Sequence, residues 1–512
     1  MRSLARLLAG VDYKYLVAGA FVFGLFMDIL DTTIVNVALP TLAQEFDATT
    51  AQLAWVVTGY LVSLAVWIPA SGWIGDRFGT KKTFMFATAM FTAASALCGR
   101  AWSIESLTLF RVLQGVGGGM LTPVGTAMLY RAFTPAERAR ASAILSIPTM
   151  IAPMLGPVFG GFLVTALSWR WIFYVNLPVG IASFLFSWAV LKEHREPNTG
   201  RFDPWGFVLS GLGVASILFA LSRGADDGWG SPSVIAAAVV GVVSFVLLVA
   251  VETRLPAPML DLTLYVNRLF RNANLVGLMF FSSNFGLVFL LPLYLQEIRG
   301  LSAFDSGLTT VAQPIAQMAM VQVTSRLYAR LGARKNLIIS TTGLMLTALL
   351  FLFVGLTTNL WWIRAIMLVR GAFMAFNMVS MQTAVFSAVP REKTGRASSL
   401  FSTSRQVGAA FGVALVSTIV MTQSNGLTGL ASLGDASAFT AGLDAFHDAV
   451  AAIAVLSLIG LGFALRVRET DAGVRRQPRP VVRPAPALAS AEAVPAIAAA
   501  DRVSADRAHA GD

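Results

Sequence analysis

LDTTIVNVALP, residues Leu30 to Pro40, closes a long apolar run that begins near Tyr15. Such a run spans a hydrocarbon core of about 30 Å as a helix, which takes roughly 20 residues. Asp31, and Asp28 one helical turn earlier, then lie inside the membrane. An ionised carboxylate there costs roughly 2.5–3.5 kcal/mol on insertion scales unless it is protonated. Asp31 is therefore a candidate proton carrier.

The rest of the chain agrees with a membrane setting. Of 512 residues, 56% are hydrophobic and 13% charged, against about a quarter charged in soluble domains, and the mean hydropathy is +0.70. Apolar runs near 20 residues recur, and none has the short alternation of an outer-membrane barrel. An all-α polytopic membrane protein is expected. The net charge of +11 does not indicate nucleic acid, because the basic residues lie in loops and tail rather than on a soluble basic face. Arg2 and Arg6 ahead of an apolar stretch imitate a signal peptide, but the run is too long and carries Asp28 and Asp31, so a retained first span is expected. The single cysteine, Cys98, cannot form an intrachain disulfide.

Fourteen spans are expected, at 15–39, 53–73, 84–101, 106–129, 142–167, 172–191, 205–221, 234–251, 273–296, 306–323, 337–356, 361–389, 399–421 and 446–465. With the N-terminus inside, only Arg100, Arg170, Arg223 and Arg299 reach the outer loops, and Arg111, Arg364, Arg370 and Arg405 fall within spans. The other Lys and Arg residues are then cytoplasmic, as the positive-inside rule requires, with both termini in the cytoplasm. GWIGDRFGTKK (Gly72 to Lys82) lines up with SRLYARLGARK (Ser325 to Lys335), a weak internal repeat. It divides the chain into a six-helix bundle at 1–192, an inserted transmembrane hairpin at 193–267, a second six-helix bundle at 268–467 and a tail at 468–512. Parallel halves about a midplane site are a transporter architecture. The Arg-, Pro- and Ala-rich tail, with RRQPRPVVRPAPALASAEAVPAIAAA from Arg475, is expected to be disordered and cytoplasmic.

Four motifs occur in order: LDTTIVNVALP, GWIGDRFGTKK, LFRVLQGVGGG (Leu109 to Gly119) and LGPVFGG (Leu155 to Gly161). Together they resemble the signatures of the major facilitator superfamily. WRWIFYVNLPVG (Trp169 to Gly180) and SRQVGAAFG (Ser404 to Gly412) are similar to its fourteen-span drug:proton antiporter branch, the EmrB/QacA type. The resemblance covers the spans and leaves out the tail. It implies proton coupling at Asp31 and Arg111, a cytoplasmic gate at Gly72, Asp76, Arg77 and Gly79, and an antiporter motif at Gly156, Pro157, Gly160 and Gly161.

Elementary chemistry bears on each position. Asp31 and Arg111 both lie about 8–13 Å below the outer surface at 1.5 Å per residue, so they can be level. An arginine at that depth needs a partner; a static ion pair is the plain alternative to a coupling role. Asp28 departs from the family pattern and shares a face with Asp31 at i, i+3 spacing. It is read as a second proton site or an anchor for a cationic substrate, against a hydrogen-bonded neutral acid. Asp76 should meet the N-terminus of span 13, near Thr394 to Ser399, whose dipole favours an anion. Ala329 replaces that acid in the second repeat copy, so only the first copy is expected to latch. The small residues of LGPVFGG let helices approach, and plain packing explains them equally well. The GVGGG run has no preceding strand and no following Gly-Lys-Ser/Thr, which excludes a phosphate loop.

A substrate cavity is expected from Asn36, Gln114, Gln313, Gln317, Arg370, Met374, Asn377, Arg405 and Gln406. No metal site and no cofactor are expected, the proton serving as coupling ion. No nucleophile-base or metal cluster stands among three histidines and one cysteine, so enzymatic chemistry is not expected. The reading is proton-coupled export of amphipathic small molecules across the inner membrane by alternating access. Its alternative is proton-coupled transport, including uptake, of a specific metabolite, siderophore or lipid. The expected partners are substrate and bilayer, with a periplasmic adaptor protein as an optional one and the monomer as the working unit.

Overall fold

The computed structural model describes residues 10–48, 50–134, 137–197, 199–224, 227–255, 258–424 and 436–468. Every regular element among them is helical, because in lipid a spanning segment must satisfy its backbone groups internally. The tail beyond Arg468, and with it the expectation of disorder there, lies outside the described residues.

The first set of helices runs α1 (Tyr13–Glu45), α2 (Thr50–Phe78), α3 (Thr80–Cys98), α4 (Ile104–Ala132), α5 (Arg138–Ala166), a single turn α6 (Trp171–Tyr174) and α7 (Asn176–Val190). They pack on one another, with α4 held against α1, α2 and α3, and α1 against α5. A pair follows, α8 (Pro204–Gly224) and α9 (Pro232–Glu252). The second set is α10 (Arg268–Leu293), the short α11 (Ala303–Thr310), α12 (Ala312–Leu350), α13 (Leu360–Ser387), α14 (Thr394–Ser424) and α15 (Ala436–Leu465). Here α12 packs on α13, and α10 on α14 and α15. Contacts between the sets run from α5 to α12 and α13, and from α2 and α4 to α14.

Helix α8 rests on both α2 and α14, while α9 packs on α8. The outer face of α9 carries exposed Ile235, Val239, Val242, Val246 and Val249, an apolar stripe that in a membrane meets lipid.

Ten of the described helical segments are long and apolar enough to cross a membrane, among them 13–39, 55–78, 232–252 and 440–465. The first part of α12, α3 and α4 do not reach that hydropathy. Helix α4 shows the reason: its residues from Gly117 to Tyr130 are buried throughout. A helix enclosed by other helices can carry Arg111, Gln114 and a glycine run, since protein rather than lipid solvates them. Helix α12 breaks at Gly332, whose φ of 78° is left-handed, and only its later part, from Arg330, is apolar.

The glycines of α4 set its depth. A Cβ on Gly117 would meet the Ala87 carbonyl at 2.7 Å, and one on Gly119 the Leu64 carbonyl at 2.5 Å. Glycine alone allows backbones this close. The run therefore wedges α4 between α2 and α3, and this wedge carries Arg111 to the level of α1.

Candidate functional site

Asp31 is 0% exposed and Arg111 1%. Arg111 Nη1 donates to Asp31 Oδ2 at 2.5 Å and to Gln114 Oε1 at 2.7 Å. The other Asp31 oxygen accepts from Gln114 Nε2 at 2.9 Å and Asn176 Nδ2 at 2.8 Å. Arg111 Nε reaches the Val56 carbonyl at 3.3 Å, and its guanidinium lies over the Tyr60 ring at 4.2 Å. The carboxylate is thus fixed by donors from α4 and α7. Both carboxylate oxygens therefore have donors, as a buried ion pair requires.

Asp28 points elsewhere. Tyr60 donates to its Oδ1 at 2.6 Å and Thr122 to its Oδ2 at 3.2 Å. No hydrogen bond joins it to Asp31, so the two acids on one helix belong to separate networks. Asp28 lies on the wall of a cavity of about 1510 Å³ between the two sets of helices. Asn36, Gln313, Gln317, Met374, Arg405 and Gln406 share that wall, with Phe280, Phe281 and Phe285 supplying apolar surface.

Three residues expected there are not on it. Gln114 is taken up by the Asp31 pair. Asn377 donates to Ser340 at 3.1 Å and Thr341 at 3.0 Å, and Arg370 to the Leu344 carbonyl at 3.2 Å, all inside the α12–α13 packing. Polar groups buried in a bundle find neighbouring backbone and hydroxyls before open space. The spacing in α13 does not separate these two faces.

Along α1 the wall residues run from Asp28 to Asn36, and beyond the Asp28 end the sets of helices close on each other. Gly72 N donates to Ser399 Oγ at 2.9 Å, and Ser398 Oγ to the Pro123 carbonyl at 2.7 Å. Tyr130 stacks on Phe386 with centroids 4.1 Å apart, and Arg138 donates to the Phe386 carbonyl. Asp76, 2% exposed, accepts from Arg131 Nη2 at 2.7 Å. It also lies against Gly395, where an added Cβ would stand 2.8 Å from its oxygen. Arg77 is exposed. Gly79 takes φ 105° to start α3, a left-handed turn that favours glycine. The segment that follows α7 straps this corner, with Glu196 N on the Asp76 carbonyl and Thr80 N on the His194 carbonyl.

The LGPVFGG stretch lies on α5 behind the Asp31 turn. Cβ atoms on Gly156 and Gly160 would meet Thr33 and Ile34 of α1, whereas Gly161 has open space. The Pro157 side chain lies outside what is described.

Residues 21–413 match the family model of the Major Facilitator Superfamily. The chain belongs to that superfamily. A Multidrug resistance protein B homolog of Mycobacterium tuberculosis is 34% identical over 416 residues, 80% of this chain and 76% of that protein. A Putative multidrug resistance protein MdtD of Pectobacterium carotovorum is 34% identical over 393 residues, 77% of this chain and 84% of that one. The crystal structure of the human organic anion transporter MFSD10 shares the fold, with a TM-score of 0.63 at 14% identity over 88% of this chain and 99% of that one. This superfamily member is a multi-pass membrane transporter rather than an enzyme.

Four site residues of the transporter were not singled out from sequence. Asn176 stood inside the quoted WRWIFYVNLPVG stretch, where a lone amide among apolar residues was the available signal. Arg131 reads in sequence as one more positive-inside residue, and Tyr60 and Thr122 carry no local signature. Their roles arise from where α2 and α4 face α1.

Proposed function

We propose that this transporter exchanges protons for amphipathic small molecules by alternating access, exporting them across the inner membrane. The observation that carries this reading is a sealed Asp31–Arg111 pair one helical turn from Asp28, the one acid on the cavity wall among the described residues. In this reading protonation takes place at Asp31, one helical turn from Asp28, which stands on the cavity wall in its own hydrogen-bond network. Protonation removes the charge that holds Arg111, which keeps the Gln114 and Val56 oxygens it already contacts. The bond tying α1 to α4 weakens, and α1 shifts against α5, where Gly156 and Gly160 leave no slack. Helix α5 in turn bears on α12 and α13. Substrate bound in the other state biases the equilibrium the opposite way, since only differential binding moves it.

In the same reading the chain crosses fourteen times, with both termini cytoplasmic, a bundle at 1–192, a hairpin at 193–267 and a bundle at 268–467. The closed end around Asp76 and Ser399 is then the cytoplasmic gate. The transporter works as a monomer without a cofactor. One charge moved through about 150 mV supplies roughly 3.5 kcal/mol, ample for uphill export.

Relatives named for multidrug resistance support the substrate class. The test is a pH-gradient assay in proteoliposomes with a dye reporting internal pH. Substrate addition should release protons with the native protein and not with Asp31→Asn. Proton flux of native size in Asp31→Asn would sink the coupling role.

A further inference from the structure

We infer that Arg405 is the anchor for a single anionic group, a carboxylate or sulfonate, on an otherwise apolar substrate. The inference rests on the cavity being the substrate path, as proposed above, and not on proton coupling.

The cavity wall carries one acid and one base among the described residues, Asp28 on α1 and Arg405 on α14. Their states differ. Asp28 has both oxygens occupied by hydroxyl donors, from Tyr60 and Thr122. Arg405 has no hydrogen bond and no ion pair with any described residue; the charge it feels is that of Asp28, which is not within 4.0 Å. An arginine presents five N–H donors in a planar fork. Buried polar groups are ordinarily satisfied, and a charged one left open at membrane depth is costly. Of the other arginines placed within spans, Arg111 is engaged by Asp31, Arg370 by the Leu344 carbonyl and Arg364 by the Trp361 ring.

Arg405 is therefore the charged group on the described cavity wall with unused donors. Its fork fits a carboxylate or sulfonate through two parallel bonds, the geometry that makes arginine selective for such anions. Ala409, Ala410 and Val413 follow it on the wall, which Phe280, Phe281 and Met374 also line. These surfaces suit an aromatic or aliphatic body, and Gln406 and Gln313 can bond the remaining polar atoms. A cation would meet the satisfied Asp28 and be repelled by the unsatisfied Arg405.

The experiment is calorimetric titration of the full-length protein in lipid nanodiscs, at equal pH throughout, with three probes of one shape. These are naphthalene-2-sulfonate, neutral 2-naphthol and the 2-naphthylmethyl-trimethylammonium cation, each corrected for empty discs. The sulfonate should bind at least about tenfold more tightly than the other two. Arg405→Gln should erase that preference while leaving 2-naphthol within about twofold, and Arg405→Lys should keep part of it. Tighter binding of the cation, absence of sulfonate binding, or equal weakening of all three probes by Arg405→Gln would overturn the inference. If Arg405→Gln does not fold, the native order of the three probes and the Lys variant still decide. No gradient is present, so failure of Asp31→Asn to block proton flux leaves this result standing, and the converse also holds.

Discussion

Arg111 and Arg370 stand at the same level of burial, each 1% exposed, on helices α4 and α13 of the two sets. Their surroundings differ. Arg111 meets a carboxylate, an amide oxygen, a backbone carbonyl and a tyrosine ring. Arg370 donates once, to the Leu344 carbonyl, and its Nε has no acceptor. Depth alone does not give two arginines the same surroundings: the first set of helices offers Arg111 a carboxylate, and the second offers Arg370 a single carbonyl. On the proposed reading, that carboxylate is what sets the two halves apart.

The largest effect follows from removing that acid. Asp31→Asn leaves Arg111 buried without a counter-charge, which costs about 3–5 kcal/mol, and should lower the thermal unfolding midpoint in detergent together with loss of proton flux. A variant that loses flux at native stability would assign Asp31 a purely chemical role, and one that unfolds with flux intact would make the pair structural.

Second in size is the wedge that puts Arg111 in place. Gly119→Ala drives a methyl into the Leu64 carbonyl, and such overpacking costs about 1–3 kcal/mol. Gly161→Ala, where nothing stands within 4 Å, should stay within about 0.5 kcal/mol. Equal losses at both positions, measured by thermal unfolding, would show that α4 is not held by close backbone contact.

That contrast also marks how far sequence reasoning reaches. Hydropathy and the positions of Asp31, Arg111 and Asp76 were legible because a charge inside an apolar run has few physical explanations. The placement of Asp76 beside Gly395 followed from helix order and dipole, but its Arg131 partner did not, because a basic residue at a helix end has an ordinary positive-inside role. Gln114, Arg370 and Asn377 were expected on the cavity wall, yet they face inward, since the rotation of α4 and α13 is set by glycine contacts distant in sequence. In α12 the break at Gly332 was legible, since SRLYARLGARK was expected to lie between two spans and the left-handed φ of Gly332 falls inside that stretch.

A third prediction concerns an acid in the segment that leads into the second set of helices. Asp261, in the segment between α9 and α10, accepts from Lys393 Nζ at 2.6 Å, with Arg396 at 3.9 Å. Burial would raise its carboxyl, but the bonds from Lys393 and Thr263 and the two positive charges outweigh this and hold it below the usual carboxylate range. A depressed value means stability that is present above the unfolded value near 3.9 and fades as pH falls through the folded one. Asp261→Asn should therefore cost about 1–2 kcal/mol at neutral pH, and the gap to the native protein should close below about pH 4. A gap independent of pH would mean that the contact depends on shape, not charge.

The smallest effect belongs to Arg370, and it tests the comparison from its weaker side. If its positive charge does no work, Arg370→Met should leave stability within about 1 kcal/mol or raise it, because a buried ion with one hydrogen bond gains little over an apolar chain of similar volume. Proton flux should also persist, since no titratable group depends on Arg370. A loss of 3–5 kcal/mol would instead mean that the Leu344 carbonyl, exposed by the substitution, was a real requirement of the α12–α13 packing. A loss of flux at unchanged stability would carry more weight. The second set of helices would then contribute a charge to coupling, and the division of labour between Arg111 and Arg370 would fall.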